Sequence, residues 1–267
     1  MKDIADISEA VELAEAVYLP AEQSERMLKQ AGFSEVAHIH GDRGQHVLIC
    51  GSSRAVWVVF CGTNDLLDVR ADLKWWPVKI RGGGRVHRGF RAYWEAADLW
   101  GPMMDHLRRL ADRPLYLVGH SLGAAGAQLA ALWCCNGWPE RKAKVITFGG
   151  PHVGTRGWCR QFEAAAGDFV RITNAMDPVT FLPAWPFYRH PRYGRHLHLD
   201  PQNRLHVNPG WKRMRSLERG LVASAIGAAF GTVTSFSLLR GLQSACNLQD
   251  HGIVNYRARW EEWKANR

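Results

Sequence analysis

The sequence lacks any paired-cysteine pattern: Cys50, Cys61, Cys134, Cys135, Cys159 and Cys246 form neither a C-x-x-C pair nor a zinc-ligand spacing. That excludes a disulfide scaffold and fits a reducing compartment. Internal repeats and low-complexity linkers are also missing, so residues 1–267 read as a single domain. No apolar leader follows the acidic start at Asp3, Asp6 and Glu9, which gives a cytoplasmic location as the default expectation, with peripheral membrane association or non-classical export as alternatives. Helix-turn-helix, zinc-finger and RNA-binding signatures are absent, so no nucleic-acid partner is expected despite a formal charge of +9. Long uncharged runs are scarce. The one that stands out, Leu221 to Leu239, is diluted by Gly227, Gly231 and several Ser and Thr residues.

What is present is a globular composition, 46% hydrophobic and 22% charged, which excludes wholesale disorder. Basic residues are scattered, with one concentration at Lys212, Arg213, Arg215 and Arg219. Such a balance favours an anionic partner, including a negatively charged membrane surface. Twelve tryptophans leave room for an interfacial role.

Apolar residues at helical spacing over 4–18 stop at Pro20, and a second helix ends near Gly32. Three strand-like runs follow, Ser34–His40, His46–Cys50 and Ala55–Phe60, joined by Gly41-Asp42 and Gly51-Ser52 turns. These predict antiparallel hairpins. One helix is expected over Phe90–Leu110. Buried strands then alternate with helices: Leu115–Val118, a helix over Leu122–Cys135, Val145–Phe148 and Phe169–Thr173. The fold class is therefore α/β, a mainly parallel central sheet with antiparallel N-terminal hairpins and helices on both faces.

Gly119-His120-Ser121-Leu122-Gly123 fits G-x-S-x-G. Its strand-before, helix-after context would lift the Ser121 hydroxyl above the sheet edge, where helix N–H groups and the dipole favour an oxyanion. A serine hydroxyl needs an imidazole to accept its proton and a carboxylate to orient that imidazole. Asp177 lies just past the Phe169–Thr173 strand, as the acid should, although Asp before Pro is also an ordinary helix N-cap. His190, His196, His198, His206 and His251 compete for the base. Of these, His251 sits on the last loop before a helix-like C-terminal stretch, and His196-Leu-His198 reads as a solvent-facing strand pair. His120 should point away from the nucleophile, in a structural role. Gly82-Gly83-Gly84 reads as a hairpin.

Several of these segments, taken in order, resemble class 3 (fungal-type) lipases of the α/β-hydrolase superfamily: Val58-Val-Phe-Cys-Gly62-Thr63, Asp68–Leu73, Val86–Phe90, Val118–Gly123, Thr147–Pro151, Asn174–Pro183, and Asp250-His251 with Tyr256. The resemblance implies Ser121 as nucleophile, Asp177 as acid and His251 as base. It also implies an oxyanion hole made by Thr63 and the N–H of Leu122, and a lid over Asn64–Trp76. Cys61 stands where the family has arginine, a change that touches the packing of that loop more than the chemistry.

The expected activity is hydrolysis of lipid acyl esters through an acyl-enzyme, with a lipid or other ester as substrate and neither metal nor organic cofactor. A short-chain carboxylesterase and a catalytically decayed lipid-surface binding protein are the alternatives. Leu221–Leu239 is expected not to span a membrane, with its basic flank promoting contact with anionic lipid. The sequence leaves oligomeric state open.

Overall fold

The computed structural model describes residues 4–63, 76–82, 84–183, 188–210 and 248–267. The expected lid, the run Leu221–Leu239 and its basic flank lie outside these residues, apart from Trp76, which is exposed. The chain opens with helices α1 (Ile4–Ala16) and α2 (Ala21–Gln30). At the end of α2, the Gly32 N–H donates to Lys29 O and the Phe33 N–H to Leu28 O. This paired closure satisfies carbonyls that a helix end leaves orphaned, and it sets Phe33 beside Leu28 in the core.

Strands β1 (Glu35–His40), β2 (His46–Gly51) and β3 (Val56–Phe60) follow as the expected hairpins. Next comes a small separate hairpin of β4 (Pro77–Lys79) and β5 (Arg85–His87), set about the glycine stretch as expected. Helices α3 (Arg88–Trp94) and α4 (Ala97–Arg109) lead into β6 (Leu115–His120), α5 (Leu122–Gly137), β7 (Lys144–Phe148), α6 (Arg156–Ala165) and β8 (Asp168–Asn174). The described chain ends with β9 (Arg195–Leu199), β10 (Leu205–Val207) and α7 (Ile253–Ala265).

Eight strands form one sheet in the order β1-β2-β3-β6-β7-β8-β9-β10. The centre from β3 to β9 is parallel, and both edges are antiparallel. Strand β3 reads as an unbroken apolar run because both its faces are covered. Val56, Val58 and Phe60 join a core under α3, α4, α5 and α6, while Trp57 and Val59 join a second core under α1, α2 and α7. Trp57, Trp94, Trp158 and Trp260 are among the largest fully buried side chains, so these four build the core and not a lipid-facing surface.

Two expectations require correction. The single helix over Phe90–Leu110 is two helices, broken at Glu95 and Ala96. Trp94 is the reason: its indole is buried against Phe60 and donates to Leu122 O, while its own carbonyl accepts the Trp100 indole N–H. Those fixtures turn the chain before α4 begins. Likewise, His196-Leu-His198 is not a solvent-facing pair. It lies on β9, an interior strand, with His198 buried. Thr173 Oγ1 lies 2.7 Å from His196 Nε2 and 2.9 Å from His198 Nδ1, which satisfies polar groups that burial would otherwise penalise.

Candidate active site

Strand β6 and helix α5 meet at Ser121, whose backbone has φ 58° and ψ −125°. Positive φ is costly for a residue with a Cβ and persists only where the surroundings enforce it. Here they do so by close packing: a Cβ on Gly119 would lie 2.2 Å from Gly123 O, and one on Gly123 would lie 1.9 Å from Phe60 O. The Ser121 N–H donates to Phe148 O at the end of β7, fixing the turn to the neighbouring strand. Leu122 is the first residue of α5, so its N–H has no acceptor within the helix.

Asp177 follows β8 by three residues and begins a 3₁₀ turn, Pro178–Phe181. Both readings of Asp177 hold together. Its Oδ1 caps that turn by accepting the Val179 N–H at 2.9 Å, and both carboxylate oxygens lie 2.9 Å from His251 Nδ1. His251 ends a second 3₁₀ turn, Leu248–His251, directly before α7. With Nδ1–H donated to Asp177, Nε2 is left as the basic atom. Both that Nε2 and Ser121 Oγ are buried without a protein hydrogen-bond partner. Thus the structure pairs the expected acid and base, while His190, His196, His198 and His206 are occupied elsewhere: at Thr180 O, Thr173 and Asp200.

The turn expected to form the oxyanion hole also comes to this place. A Cβ on Gly62 would sit 2.7 Å from His120 O and 3.1 Å from Ser121 Cβ. Thr63, next in the chain, is half-buried. Cys61, at the family's arginine position, has a thiol that burial pushes up to about 12, so it stays protonated and unreactive at neutral pH.

Tyr18, Gly149 and Tyr256 support the site without an assigned role in the sequence, and His120 joins them. Tyr256 OH donates to Asp177 Oδ2 at 2.7 Å and accepts the Asn174 N–H at 3.1 Å. His120 is buried and takes a structural part, as expected. Its Nε2–H donates to the His251 carbonyl at 2.6 Å, and its Nδ1 accepts from Tyr18 OH at 2.8 Å. Tyr18 in turn accepts the Gly62 N–H at 3.0 Å. One hydrogen-bond chain therefore ties the Gly62 turn to the backbone of His251. Burial, with His251 close by, drives the His120 pKa well below its ordinary value, so it keeps one ring acceptor for Tyr18. Gly149, at φ 57°, completes the floor: a Cβ there would lie 2.7 Å from Asp177 Oδ2 and 3.1 Å from His251 Nδ1.

Comparison with known proteins agrees with this layout. Residues 57–187 match the family described as Lipase (class 3). Lipase A of Sodiomyces alcalophilus is 34% identical over 175 residues, which cover 52% of this chain and 42% of that protein. The chain spans about two-fifths of the length of the curated relatives it matches first. Among solved structures, lipase II from Rhizopus niveus has a TM-score of 0.66 at 18% identity, covering 80% of this chain and 89% of that one. The Rhizomucor miehei triacylglyceride lipase has 0.63 at 20%, covering 77% and 83%. At such identities the structural likeness establishes the fold. The matched region runs from β3 past Asp177, and on a sheet of this topology it makes the chain similar to the class 3 lipases, with the α/β-hydrolase fold.

Proposed function

We propose that the protein is a serine hydrolase that cleaves acyl esters of lipids. The observation that carries this reading is a serine held at φ 58°, with its Oγ and the Nε2 of an Asp-anchored histidine both buried and unpaired. Ser121 Oγ attacks the ester carbonyl as His251 Nε2 takes its proton. Asp177 holds the imidazole in the Nδ1–H tautomer and balances the imidazolium that forms. The N–H of Leu122 and Thr63 receive the oxyanion, each such donor being worth about 3 kcal/mol in comparable sites. The imidazolium then protonates the leaving alcohol. Water, deprotonated by His251, releases the fatty acid from Ser121 and returns the enzyme to its starting state.

Homology to proteins named as lipases and as a mono- and diacylglycerol lipase supports glycerolipids as the substrate class. The +9 charge supports peripheral contact with anionic lipid surfaces. A series of p-nitrophenyl esters from acetate to palmitate, run beside emulsified di- and triacylglycerol and vesicles of phosphatidylglycerol or phosphatidylcholine, tests this. Faster turnover of long-chain esters and lipids is expected. Preference for acetate would instead mark a carboxylesterase, and vesicle binding without turnover of any ester would mark a binding protein.

A further inference from the structure

The β1–β2 hairpin carries three histidines that the hydrolytic site does not use. His38 and His40 are two apart on β1, hence on one face, and His40 pairs in register with His46 on β2. One ring nitrogen from each lies within 4.8 Å of the other two. This is the one group of three or more His, Cys, Asp or Glu side chains so arranged among the described residues. We propose that His38, His40 and His46 form a binding site for a single divalent transition-metal ion of the zinc type, with solvent completing the coordination.

Ring orientation supports this beyond simple proximity. Ser24 is buried, and its hydroxyl donates to Ala21 O at 3.0 Å, so its oxygen can only accept from His38 Nε2, also at 3.0 Å. His38 is thereby held as the Nε2–H tautomer, with the Nδ1 lone pair aimed at His46 Nε2 2.8 Å away. An outer oxygen that fixes the tautomer of a ligating imidazole is the usual second layer of a histidine metal site.

The required movement is small for two ligands and moderate for the third. Zinc–nitrogen bonds of about 2.0–2.1 Å in a tetrahedral set place ligand atoms about 3.3 Å apart. The His38–His46 pair therefore opens by about 0.5 Å, and the His46 proton shifts to Nδ1 through solvent. His40 is exposed, and its ring stacks on His46 with centroids 4.3 Å apart. It must tilt out of that stack to converge, which an exposed side chain at a strand end does at little cost. Imidazole ligands suit Zn²⁺, Ni²⁺ and Cu²⁺ alike. Three neutral ligands with one open position fit a four-coordinate Zn²⁺.

The test is titration of the purified, chelator-treated full chain with Zn²⁺ by calorimetry, and with Co²⁺ by visible absorption. Wild type should bind one equivalent of Zn²⁺ at micromolar concentration or tighter, and the Co²⁺ form should show the intense bands of a four-coordinate site. His40→Ala alters only an exposed ring and should fold normally, yet it should weaken Zn²⁺ binding at least tenfold and abolish the Co²⁺ bands. His38→Gln should behave the same way. No Zn²⁺ binding by wild type at micromolar concentration would overturn the proposal, and so would equal binding and equal spectra in His40→Ala.

Discussion

Replacing Tyr256 by Phe removes one oxygen from the most buried part of the catalytic site and keeps the ring. That ring is fully buried beside Phe148 and His120, so the substitution leaves packing largely as it was. Two hydrogen bonds go with the oxygen: the 2.7 Å donation to Asp177 Oδ2 and the 3.1 Å bond accepted from the Asn174 N–H. A hydrogen bond to a charged group contributes about 1.5–3 kcal/mol, and an orphaned buried N–H costs about 1–3 kcal/mol. The two share one atom and will not simply add, so a loss of about 2–4 kcal/mol is expected. For a chain of this size that is roughly 4–7 °C in Tm by differential scanning fluorimetry. Asp177 keeps its bonds to His251 and Val179, so the triad survives with a looser acid. On a soluble ester, kcat should fall about tenfold with KM little changed, as for an interaction realised mainly in the transition state. A Tyr256→Phe protein with unchanged Tm and kcat would refute this reasoning.

Gly149→Ala places a Cβ 2.7 Å from Asp177 Oδ2 at a positive φ; displacement of the acid and base should lower kcat at least about 100-fold, and unchanged kcat would show that the floor of the site yields. Tyr18→Phe cuts the chain between Gly62 and His120, and should lower kcat roughly tenfold with little effect on KM; equal kcat would mean that the tether is dispensable. His87 is buried, and its Nδ1 accepts the Gly89 and Phe90 N–H groups at the start of α3, an arrangement that needs a neutral ring. Burial holds its pKa down to about 4, below the roughly 6.5 of an unfolded chain, so this stabilisation is fully present above about pH 6.5 and is lost as pH falls toward 4. Tm should decline over that window, and His87→Asn, which caps without titrating, should flatten part of the slope; an identical slope would remove His87 from the account.

Ser121 and Asp177 were legible as candidate nucleophile and acid because their signals are local. G-x-S-x-G sits between a strand and a small-residue helix, and Asp177 sits immediately past a strand end. The base was not local. Five of the six histidines after Ser121 were candidates, and only the family resemblance selected His251 before the structure showed it on Asp177. The parts played by Tyr18, Gly149 and Tyr256 escaped because they come from contacts between chain-distant segments, and His120 was read as structural without its partners. Tyr18 and His120 are 102 residues apart, and nothing around Tyr18 marks it out. The same cause underlies the split helix, where Trp94 is held by Leu122 from another element. His196 and His198 misled for a different reason: polar residues on a short strand read as exposed, and it is Thr173 on the adjacent β8 that makes their burial tolerable.

The central claim is that Ser121 is a nucleophile activated by His251. Treating the protein with a fluorophosphonate and locating the adduct by peptide mass spectrometry tests it most directly. A single phosphonylated residue is expected, Ser121, labelled at least about 100-fold more slowly in His251→Ala and not at all in Ser121→Ala. A wild-type protein that takes no label, carries it on another residue, or loses no labelling rate in His251→Ala would contradict it.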